Sequence, residues 1–359
     1  MSATLAPAAF DTLAELLRVR SGLVIGRDKL YLLESRLGPI AKRENLPDLA
    51  ALAARLRAPG GERLVREVVE AMTTNESLFF RDTKPFQHFR TQALPRLHAD
   101  RPPGRAIRVW SAAASTGQEA YSLAMILVDL RSGLGTRPVE ILGTDLAREP
   151  LLRARDGLYS QFEVQRGLPV QMLVKHFRKE EQNWRISEAL RAAVSFREWN
   201  LLDDPAPLGR FDIVFCRNVL IYFDPPTKAK VLGLIARQLA PDGVLYLGGA
   251  ETVLGVTDRL IPLPDQPGAY GPAAPRGFAA PPPSWPESES ALVSPPQSQQ
   301  EQETWRAPIV SPSSPATGSA RKPSRKRSKS STPPRPDGAS PSTSPPTTGR
   351  AKRTRKRAR

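Results

Sequence analysis

Residues 108–122, RVWSAAASTGQEAYS, contain a short hydrophobic segment, then a run of small side chains and an acid, Glu119. This order predicts a strand, a tight loop and a helix start, the unit with which an open α/β sheet accommodates a nucleotide-like ligand. Small side chains let a ligand approach the backbone, and free N–H groups at a helix start can donate to it. Gly117 is the one glycine, so the loop lacks both the G-x-G-x-x-G and the GK[ST] phosphate-binding patterns. We therefore expect a nucleoside without a pyrophosphate, of which S-adenosylmethionine is the common one; a packing role alone is the alternative.

Two acids could contact such a ligand. Asp145 ends the apolar segment VEILGTD, where a carboxylate can accept hydrogen bonds from both hydroxyls of a ribose. Capping of the following helix is the alternative role for Asp145. Glu119 gains from the helix dipole and could pair with a cationic amino group of the ligand, whereas stabilisation of the first helical turn is its alternative role.

Polar residues also lie within a third apolar segment. Arg217 and Asn218 interrupt the run FDIVFCRNVLIYF, and because buried polar groups are costly unless they are paired, they indicate a site at a strand end. Tyr222 could reach the same crevice, although packing is the commoner role of such a ring.

In TTNESLFFRD, the run 73–77 and Arg81 link an N-terminal part to the sheet, where polar side chains commonly complete a cleft. A turn that caps the preceding helix is the alternative.

The positive charge is concentrated at the C-terminal end. The chain has 359 residues and a net charge of +16, and residues 321–359 contain 14 Lys or Arg against one acid, Asp337. The rest of the chain is therefore close to neutral. Residues 273–359 are rich in Pro, Ser and Thr without hydrophobic periodicity, so we predict a disordered tail. Basic runs such as RKPSRKRSK bind nucleic acid, anionic membranes or acidic proteins, and a solubilising role is the alternative.

Few other residues are available for chemistry. Cys216 is the one cysteine and lies in an apolar run, so an intramolecular disulfide is excluded and a buried thiol is expected. The three histidines have no Cys or carboxylate cluster at ligand spacing, and we predict no metal site. No long apolar stretch and no signal-peptide pattern is present, which predicts a soluble, cytoplasmic protein.

The elements that must position these residues fall into two parts. Residues 1–95 have apolar residues at helical spacing with Gly and Pro breaks, which predicts a small all-α domain and a linker. In residues 96–272, strand and helix patterns alternate, which predicts an α/β domain with a doubly wound parallel sheet. Residues 160–200 interrupt this alternation with the short segments KHFRKE, NWRIS and AAVSFREWN, which predict a small antiparallel β insertion.

Together these segments resemble the CheR family, the chemotaxis methyltransferases that methyl-esterify glutamates of chemoreceptors. The resemblance covers about residues 10–272 and rests on TTNESLFFRD, RVWSAAASTGQEAYSLAM, GTDL followed by RARDGLY, and FDIVFCRNVLIYFD, in the family's order. It implies an S-adenosylmethionine-dependent methyltransferase domain after the helical domain. It also implies a protein-glutamate O-methyltransferase that acts on the cytoplasmic domain of a receptor, and we expect a monomer.

The resemblance also implies roles by position. S-adenosylmethionine would contact the linker, the acids after the first two strands and two pairs after later strands: Asn75, Ser77, Arg81, Glu119, Asp145, Asn200, Leu201, Arg217 and Asn218. Tyr222 falls where the family places a tyrosine near the transferred methyl group, and we assign catalytic positioning to Arg81 and Tyr222. Ser77 replaces the usual Thr and retains a hydroxyl. Gln118 and Ala120 depart from the more usual GEEPYS wording and leave Glu119 intact.

The implied chemistry suits these residues. A glutamate carboxylate is already ionised at neutral pH, so methyl transfer to it needs no strong general base, and alignment and desolvation would supply catalysis. The alternative is a catalytically inactive scaffold whose basic tail binds nucleic acid or a partner protein. Some family members bind a receptor's C-terminal peptide through a glycine-containing loop of the β insertion. FRKEEQNWRIS has no glycine, which predicts that this chain binds no such tether.

Overall fold

A computed structural model describes residues 5–130, 133, 135, 137–264 and 266–273. The predicted disordered tail lies outside these residues, apart from its first residue, Ala273.

Four helices form the N-terminal part: α1 (Pro7–Ser21), α2 (Leu30–Arg43), α3 (Leu49–Arg57) and α4 (Glu62–Met72). Their apolar faces share one core that includes Leu13, Leu33, Leu52 and Val68. This confirms the all-α character of the N-terminal part.

Local signals fix the helix ends. Gly22 adopts a φ of 77°, a left-handed conformation that glycine tolerates well, and its N–H bonds to the Arg18 carbonyl to end α1. The Asp48 carboxylate accepts the Ala51 N–H at 2.8 Å and begins α3. Gly22 and Asp48 thus set the end of α1 and the start of α3.

A seven-stranded sheet forms the second part. In spatial order its strands are β6 (Val194–Glu198), β2 (Val139–Asp145), β1 (Ile107–Ala112), β7 (Phe211–Cys216), β8 (Leu239–Leu247), β10 (Ala269–Pro272) and β9 (Leu260–Pro262). The first five are parallel, whereas β10 and β9 pair in the antiparallel sense. The chain leaves β1 for β2 on one side and returns to β7 on the other. Such a reversal opens a crevice at the carboxyl ends of β1 and β7, where open α/β sheets bind ligands.

Helices cover both faces of this sheet. They are α5 (Lys84–His88), a π-helical turn (Phe89–Ala93), α6 (Leu94–Asp100), α7 (Gln118–Asp129), α8 (Arg148–Asp156), α11 (Glu188–Ala192) and α12 (Pro225–Gln238). Two further short helices, α9 (Gln161–Gln165) and α10 (Val170–His176), pack instead against a second, smaller sheet. Neighbouring strand residues contribute to different cores: Val109 packs in the core that contains Tyr121, and Trp110 packs in the core that contains Leu232. The sheet is thus buried on both sides, as the prediction of a doubly wound fold requires.

The predicted antiparallel insertion is present, but one of its segments was misplaced. Its strands are β3 (Leu158–Ser160), β4 (Phe177–Glu180) and β5 (Asn183–Ile186), with β5 in the middle. The assignment of AAVSFREWN to this sheet is wrong, because β6 pairs with β2 in parallel, from Ile141 opposite Val194 to Asp145 opposite Glu198. β6 is an edge strand with mostly exposed side chains, so its pattern resembles that of a strand in a small solvated sheet.

Among the described residues, no helix has the length and apolar character needed to span a membrane.

Candidate functional site

One cavity gathers all the predicted site residues. It lies at the carboxyl ends of the parallel strands and has a volume of about 960 Å³, including the part open to solvent. Ser21 and Leu23 from the helical part and residues 73–78 from the linker complete its walls. The predicted residues that line it are Asn75, Ser77, Arg81, Glu119, Asp145, Asn200, Leu201, Arg217, Asn218 and Tyr222.

The small-residue loop after β1 approaches the cavity with Ala113 and Ser115. Both have positive φ, 63° and 51°, which is an uncommon backbone conformation for residues other than glycine. Gly117 has a φ of 90° and does not line the cavity. A Cβ at Gly117 would lie 2.9 Å from the Ala154 Cβ. This glycine is therefore needed for close packing of the loop against α8.

Asp145 ends β2 and is buried. Its Oδ2 accepts the Ser115 N–H at 2.8 Å, and its Oδ1 accepts the Ala147 N–H at 2.9 Å. Burial raises the pKa of Asp145, and these backbone hydrogen bonds act against that rise. The N-cap position of α8 belongs to Ala147, so Asp145 is not the N-cap residue that the alternative interpretation required. Each carboxylate oxygen can accept a second donor, which leaves capacity for ligand hydroxyls.

Glu119 and Arg217 form a buried ion pair in the cavity wall. Arg217 Nη1 donates to Glu119 Oε2 at 3.0 Å, and the Ser111 hydroxyl donates to Glu119 Oε1 at 2.8 Å. The Arg217 side chain is 1% exposed and that of Glu119 is 13% exposed. Burial raises the pKa of Glu119, and the charge of Arg217 lowers it. The pair presents one positive and one negative group side by side.

Arg217 also fastens the linker to the sheet. Its Nη2 donates to the Arg81 carbonyl at 2.8 Å and to Asp82 Oδ2 at 2.6 Å, and its guanidinium lies over the Phe86 ring at 5.6 Å. The Arg217 Nε is buried and has no partner in the described part of the chain. β7 ends at Cys216, so Arg217 lies directly after the carboxyl end of the strand.

The linker is tied to both parts of the protein. The Ser115 hydroxyl donates to the Asn75 carbonyl at 2.8 Å, and the Phe80 N–H donates to the Ser122 hydroxyl at 3.0 Å. The Thr73 hydroxyl donates to the Glu70 carbonyl at 2.7 Å at the end of α4. The linker thus lines the cleft and also caps the preceding helix, so both interpretations of TTNESLFFRD hold.

Strained backbone is concentrated around this cavity. Eight non-glycine residues in the described part of the chain have positive φ, and six belong to the linker, the loop after β1 or the turn after β7: Phe80, Asp82, Thr83, Ala113, Ser115 and Asn218. Residues in such conformations persist where surrounding contacts hold them, and they cluster at functional sites.

Arg81, Tyr222 and Ser77 carry polar groups with spare hydrogen-bonding capacity. Arg81 Nη1 reaches the Glu76 carbonyl at 3.4 Å, a long contact that leaves its other donors available. Within the described ranges, the hydroxyls of Tyr222 and Ser77 form no hydrogen bond with the protein. The Tyr222 backbone is nevertheless fixed, since its carbonyl accepts the Val24 N–H at 2.9 Å.

The pair Asn200-Leu201 is placed differently from the others. The Asn200 Nδ2 donates to the Arg20 carbonyl at 2.7 Å, and its Oδ1 accepts the Leu202 N–H at 3.0 Å. The Asn200 side chain therefore joins the helical part to the loop after β6. Leu201 is half-buried and offers an apolar surface to the cavity.

Several lining residues were missed by sequence reasoning, namely Ser21, Leu23, Leu146, Trp199, Val219 and Phe223. Trp199 directly precedes Asn200, and its position after β6 could have indicated it. Cys216 is buried and free, as predicted. In the ranges that the structure describes, no group of His, Cys, Asp and Glu could hold a metal ion.

Comparisons with known proteins agree with this architecture. The profile of "CheR methyltransferase, all-alpha domain" matches residues 8–73, and that of "CheR methyltransferase, SAM binding domain" matches residues 75–268. The chain is 39% identical over 254 residues to chemotaxis protein methyltransferase Cher2 of Pseudomonas putida, which covers 70% of this chain and 92% of that protein. It is 40% identical over 258 residues to chemotaxis protein methyltransferase 1 of Pseudomonas aeruginosa, which covers 71% and 93%.

Similarity to solved structures is slight. The crystal structure of DszA carbon methyltransferase is 18% identical with a TM-score of 0.30, and the match covers 70% of this chain and 52% of that chain. Two findings show the family: the two matched profiles, and the relatives, each of which is matched over more than 90% of its own length. The chain belongs to the CheR methyltransferase family.

Proposed function

We propose that the protein transfers a methyl group from S-adenosylmethionine to glutamate side chains of chemoreceptors and forms glutamate methyl esters. The observation that carries this proposal is the single cavity in which the linker, the loop after β1, Asp145 and the Glu119–Arg217 pair meet. The names of the relatives support a chemotaxis substrate.

The residues present suit S-adenosylmethionine. The amino-acid end of this molecule is zwitterionic, and the adjacent charges of Glu119 and Arg217 can pair with its ammonium and carboxylate. The unpartnered Arg217 Nε shows that the protein alone does not satisfy this guanidinium. Asp145 retains acceptor capacity for ribose hydroxyls, and Leu146 and Leu201 offer apolar surface for the base.

When bound, S-adenosylmethionine supplies a methyl group on a positively charged sulfur; the O–C bond to the glutamate forms as the C–S bond breaks, and its electron pair stays on sulfur. The protein's part is to align and desolvate the reactants. The Glu119–Arg217 pair would hold the amino-acid end of S-adenosylmethionine in a fixed position in the cavity. No proton has to be removed from an ionised carboxylate, which fits a cavity that holds no histidine.

Arg81 and Tyr222 would position the second reactant. The Arg81 guanidinium has donors free for a substrate carboxylate, and a planar guanidinium suits such a group. Tyr222 lines the cavity from the turn after β7, where its hydroxyl could contact the reacting groups. A receptor peptide tether is not part of this proposal, since the hairpin between β4 and β5 has only a two-residue turn, Glu181 and Gln182.

The direct test incubates the full chain with methyl-labelled S-adenosylmethionine and the cytoplasmic fragment of a candidate receptor. We expect labelled receptor from which mild base releases volatile methanol, because carboxyl methyl esters hydrolyse readily. Label that resists base would indicate methylation of another group and contradict glutamate esterification. Failure to bind S-adenosylmethionine at all would instead favour the inactive scaffold with a binding tail.

A further inference from the structure

A carboxylate behind the cavity wall holds the turn that carries Arg217, Asn218 and Tyr222. Glu251 follows the carboxyl end of β8 and is 9% exposed. Its Oε2 accepts the N–H groups of Gly248 at 2.7 Å and Asn218 at 2.8 Å. Its Oε1 accepts those of Val219 at 2.9 Å and Ile221 at 3.3 Å. One side chain therefore satisfies four backbone donors from two separate loops.

These donors have few alternatives in the fold. Val219 and Ile221 lie at the start of the 3₁₀ turn Leu220–Tyr222, where N–H groups have no carbonyl of a preceding turn to bind. Asn218 adopts a φ of 60°, a strained conformation that needs support from its surroundings. Without Glu251 the Gly248 N–H would be buried and unsatisfied, which is costly, and the part-buried N–H groups of Asn218, Val219 and Ile221 would lose their partner.

The fit around this carboxylate is close. A Cβ added at Gly248 would lie 2.7 Å from the Asn218 Nδ2 and 2.7 Å from the Glu251 Oε2. The ends of β7 and β8 are thus brought together with the carboxylate between their loops. Any displacement of Glu251 would be transmitted to Asn218, and through it to its neighbour Arg217.

We propose that Glu251 is a positioning residue of the methyltransferase site. It does not line the cavity, and it acts through the backbone of residues 218–221, which fixes Arg217, Asn218 and Tyr222 where the cofactor and substrate would meet them. The effect of Glu251 on catalysis rests on the proposed function. The hold on the turn itself can be measured without any ligand.

The test uses Glu251→Gln in the full chain. An amide can accept through one oxygen only, so its NH₂ group must face two backbone N–H donors. We expect the dissociation constant of S-adenosylmethionine, measured by calorimetry below the unfolding temperature, to rise at least tenfold. We also expect amide hydrogen exchange in residues 217–222 of the ligand-free variant to become faster.

The matched control is Glu163→Gln. The Glu163 carboxylate also accepts from a backbone N–H and a hydroxyl, both of Ser160, but it lies in the β insertion. This variant should lower the melting temperature without altering either the affinity or the exchange of residues 217–222.

Each outcome decides the proposal. A lower melting temperature with an affinity within twofold of wild type would make Glu251 merely structural and overturn it, as would unchanged exchange in residues 217–222. If Glu251→Gln does not fold, Glu251→Asp, which keeps the charge on a shorter side chain, is judged by the same criteria, and failure of both to fold would overturn a local role. If the wild-type chain binds no S-adenosylmethionine but the variant exchanges faster, the proposed function fails and the hold of Glu251 on the turn stands.

Discussion

Arg217 Nη1 lies 3.0 Å from Glu119 Oε2 across a sequence separation of 98 residues. The two side chains come from the turn after β7 and the first turn of α7; that of Arg217 is buried and that of Glu119 is mostly buried. Because β1 and β7 are neighbours in the sheet, the pair connects the two elements that border the ligand crevice. This relationship makes several predictions about the site.

Glu119→Gln should separate binding from stability. The variant removes the negative charge that would face the cofactor ammonium, so we expect affinity for S-adenosylmethionine to fall at least tenfold. Arg217 keeps Asp82 as a partner and the desolvation cost of a buried carboxylate disappears, so the unfolding free energy should change by no more than about 1 kcal/mol. Calorimetry and urea denaturation measure the two quantities. Glu140→Gln, at an exposed ion pair with Arg108, is the control and should leave affinity unchanged.

The pH dependence of stability has a defined sign. Burial raises the pKa of Glu119 above its ordinary 4.5 and that of Asp145 above 3.8. Such groups bind protons more tightly in the folded chain, so they add stability as the pH falls through their folded pKa, with the full gain below the unfolded values. Burial lowers the pKa of His88 and His176, which acts in the opposite direction. We therefore compare two proteins in which the histidines are identical.

Wild type should gain stability relative to Glu119→Gln as the pH is lowered from 7 to below 4.5, the ordinary pKa of a glutamate. Urea denaturation at several pH values measures this difference. A difference that does not vary with pH, or that favours the variant at low pH, contradicts a raised pKa for Glu119.

Tyr222→Phe tests the hydroxyl alone, because the ring and its packing remain. One lost hydrogen bond of about 1.4 kcal/mol in the transition state corresponds to a tenfold lower kcat. We expect that decrease with an unchanged KM for S-adenosylmethionine. Tyr31→Phe, on α2 and 62% exposed, provides the control. Full activity of Tyr222→Phe would remove the hydroxyl from the mechanism.

Arg81→Gln should weaken use of the receptor. The guanidinium makes one long contact, with the Glu76 carbonyl, so its loss should change the unfolding free energy by less than about 0.5 kcal/mol. We expect kcat/KM for the receptor fragment to fall about tenfold, the worth of roughly 1.4 kcal/mol. Arg237→Gln, at an exposed pair with Asp204, should have no effect. Equal kinetics for the two variants would contradict substrate positioning by Arg81.

Much of this site could be predicted because local patterns mark the carboxyl ends of strands. The small-residue loop before Glu119, the acid that ends VEILGTD and the polar pair after FDIVFC each indicate a strand end. In a parallel sheet these ends lie on one edge, so separate motifs meet in one cavity.

Long-range relationships could not be predicted in the same way. The partners of Glu251 at residues 218–221 lie 30 to 33 positions earlier, and no spacing rule connects an acid in the loop after β8 with the amides of another loop. The edge position of β6 depends on strand order, which alternation of strands and helices does not fix. The sequence also did not show that the Asn200 side chain would bind the carbonyl of Arg20 in the helical part, because the two residues are 180 positions apart.

Removal of the basic tail should leave cofactor binding and methyl transfer unchanged. A chain that ends at Ala273 keeps every residue of the cavity, so we expect its affinity for S-adenosylmethionine and its kcat on a receptor fragment to stay within twofold of the full chain. Only the full chain should bind polyanions with a strong salt dependence, since residues 321–359 hold 14 Lys or Arg. Loss of cofactor binding on truncation would contradict this division.

The most direct test of the account is calorimetric titration of S-adenosylmethionine into the wild-type full chain and into Asp145→Asn. In the variant, an NH₂ group must face the N–H of Ser115 or Ala147, and one of the two oxygens that can accept a ribose hydroxyl is lost together with the negative charge. We predict binding to one site in the wild type and at least hundredfold weaker binding in the variant, about 2.7 kcal/mol. Equal affinities, or no binding to the wild type, would contradict the assignment of this cavity to S-adenosylmethionine.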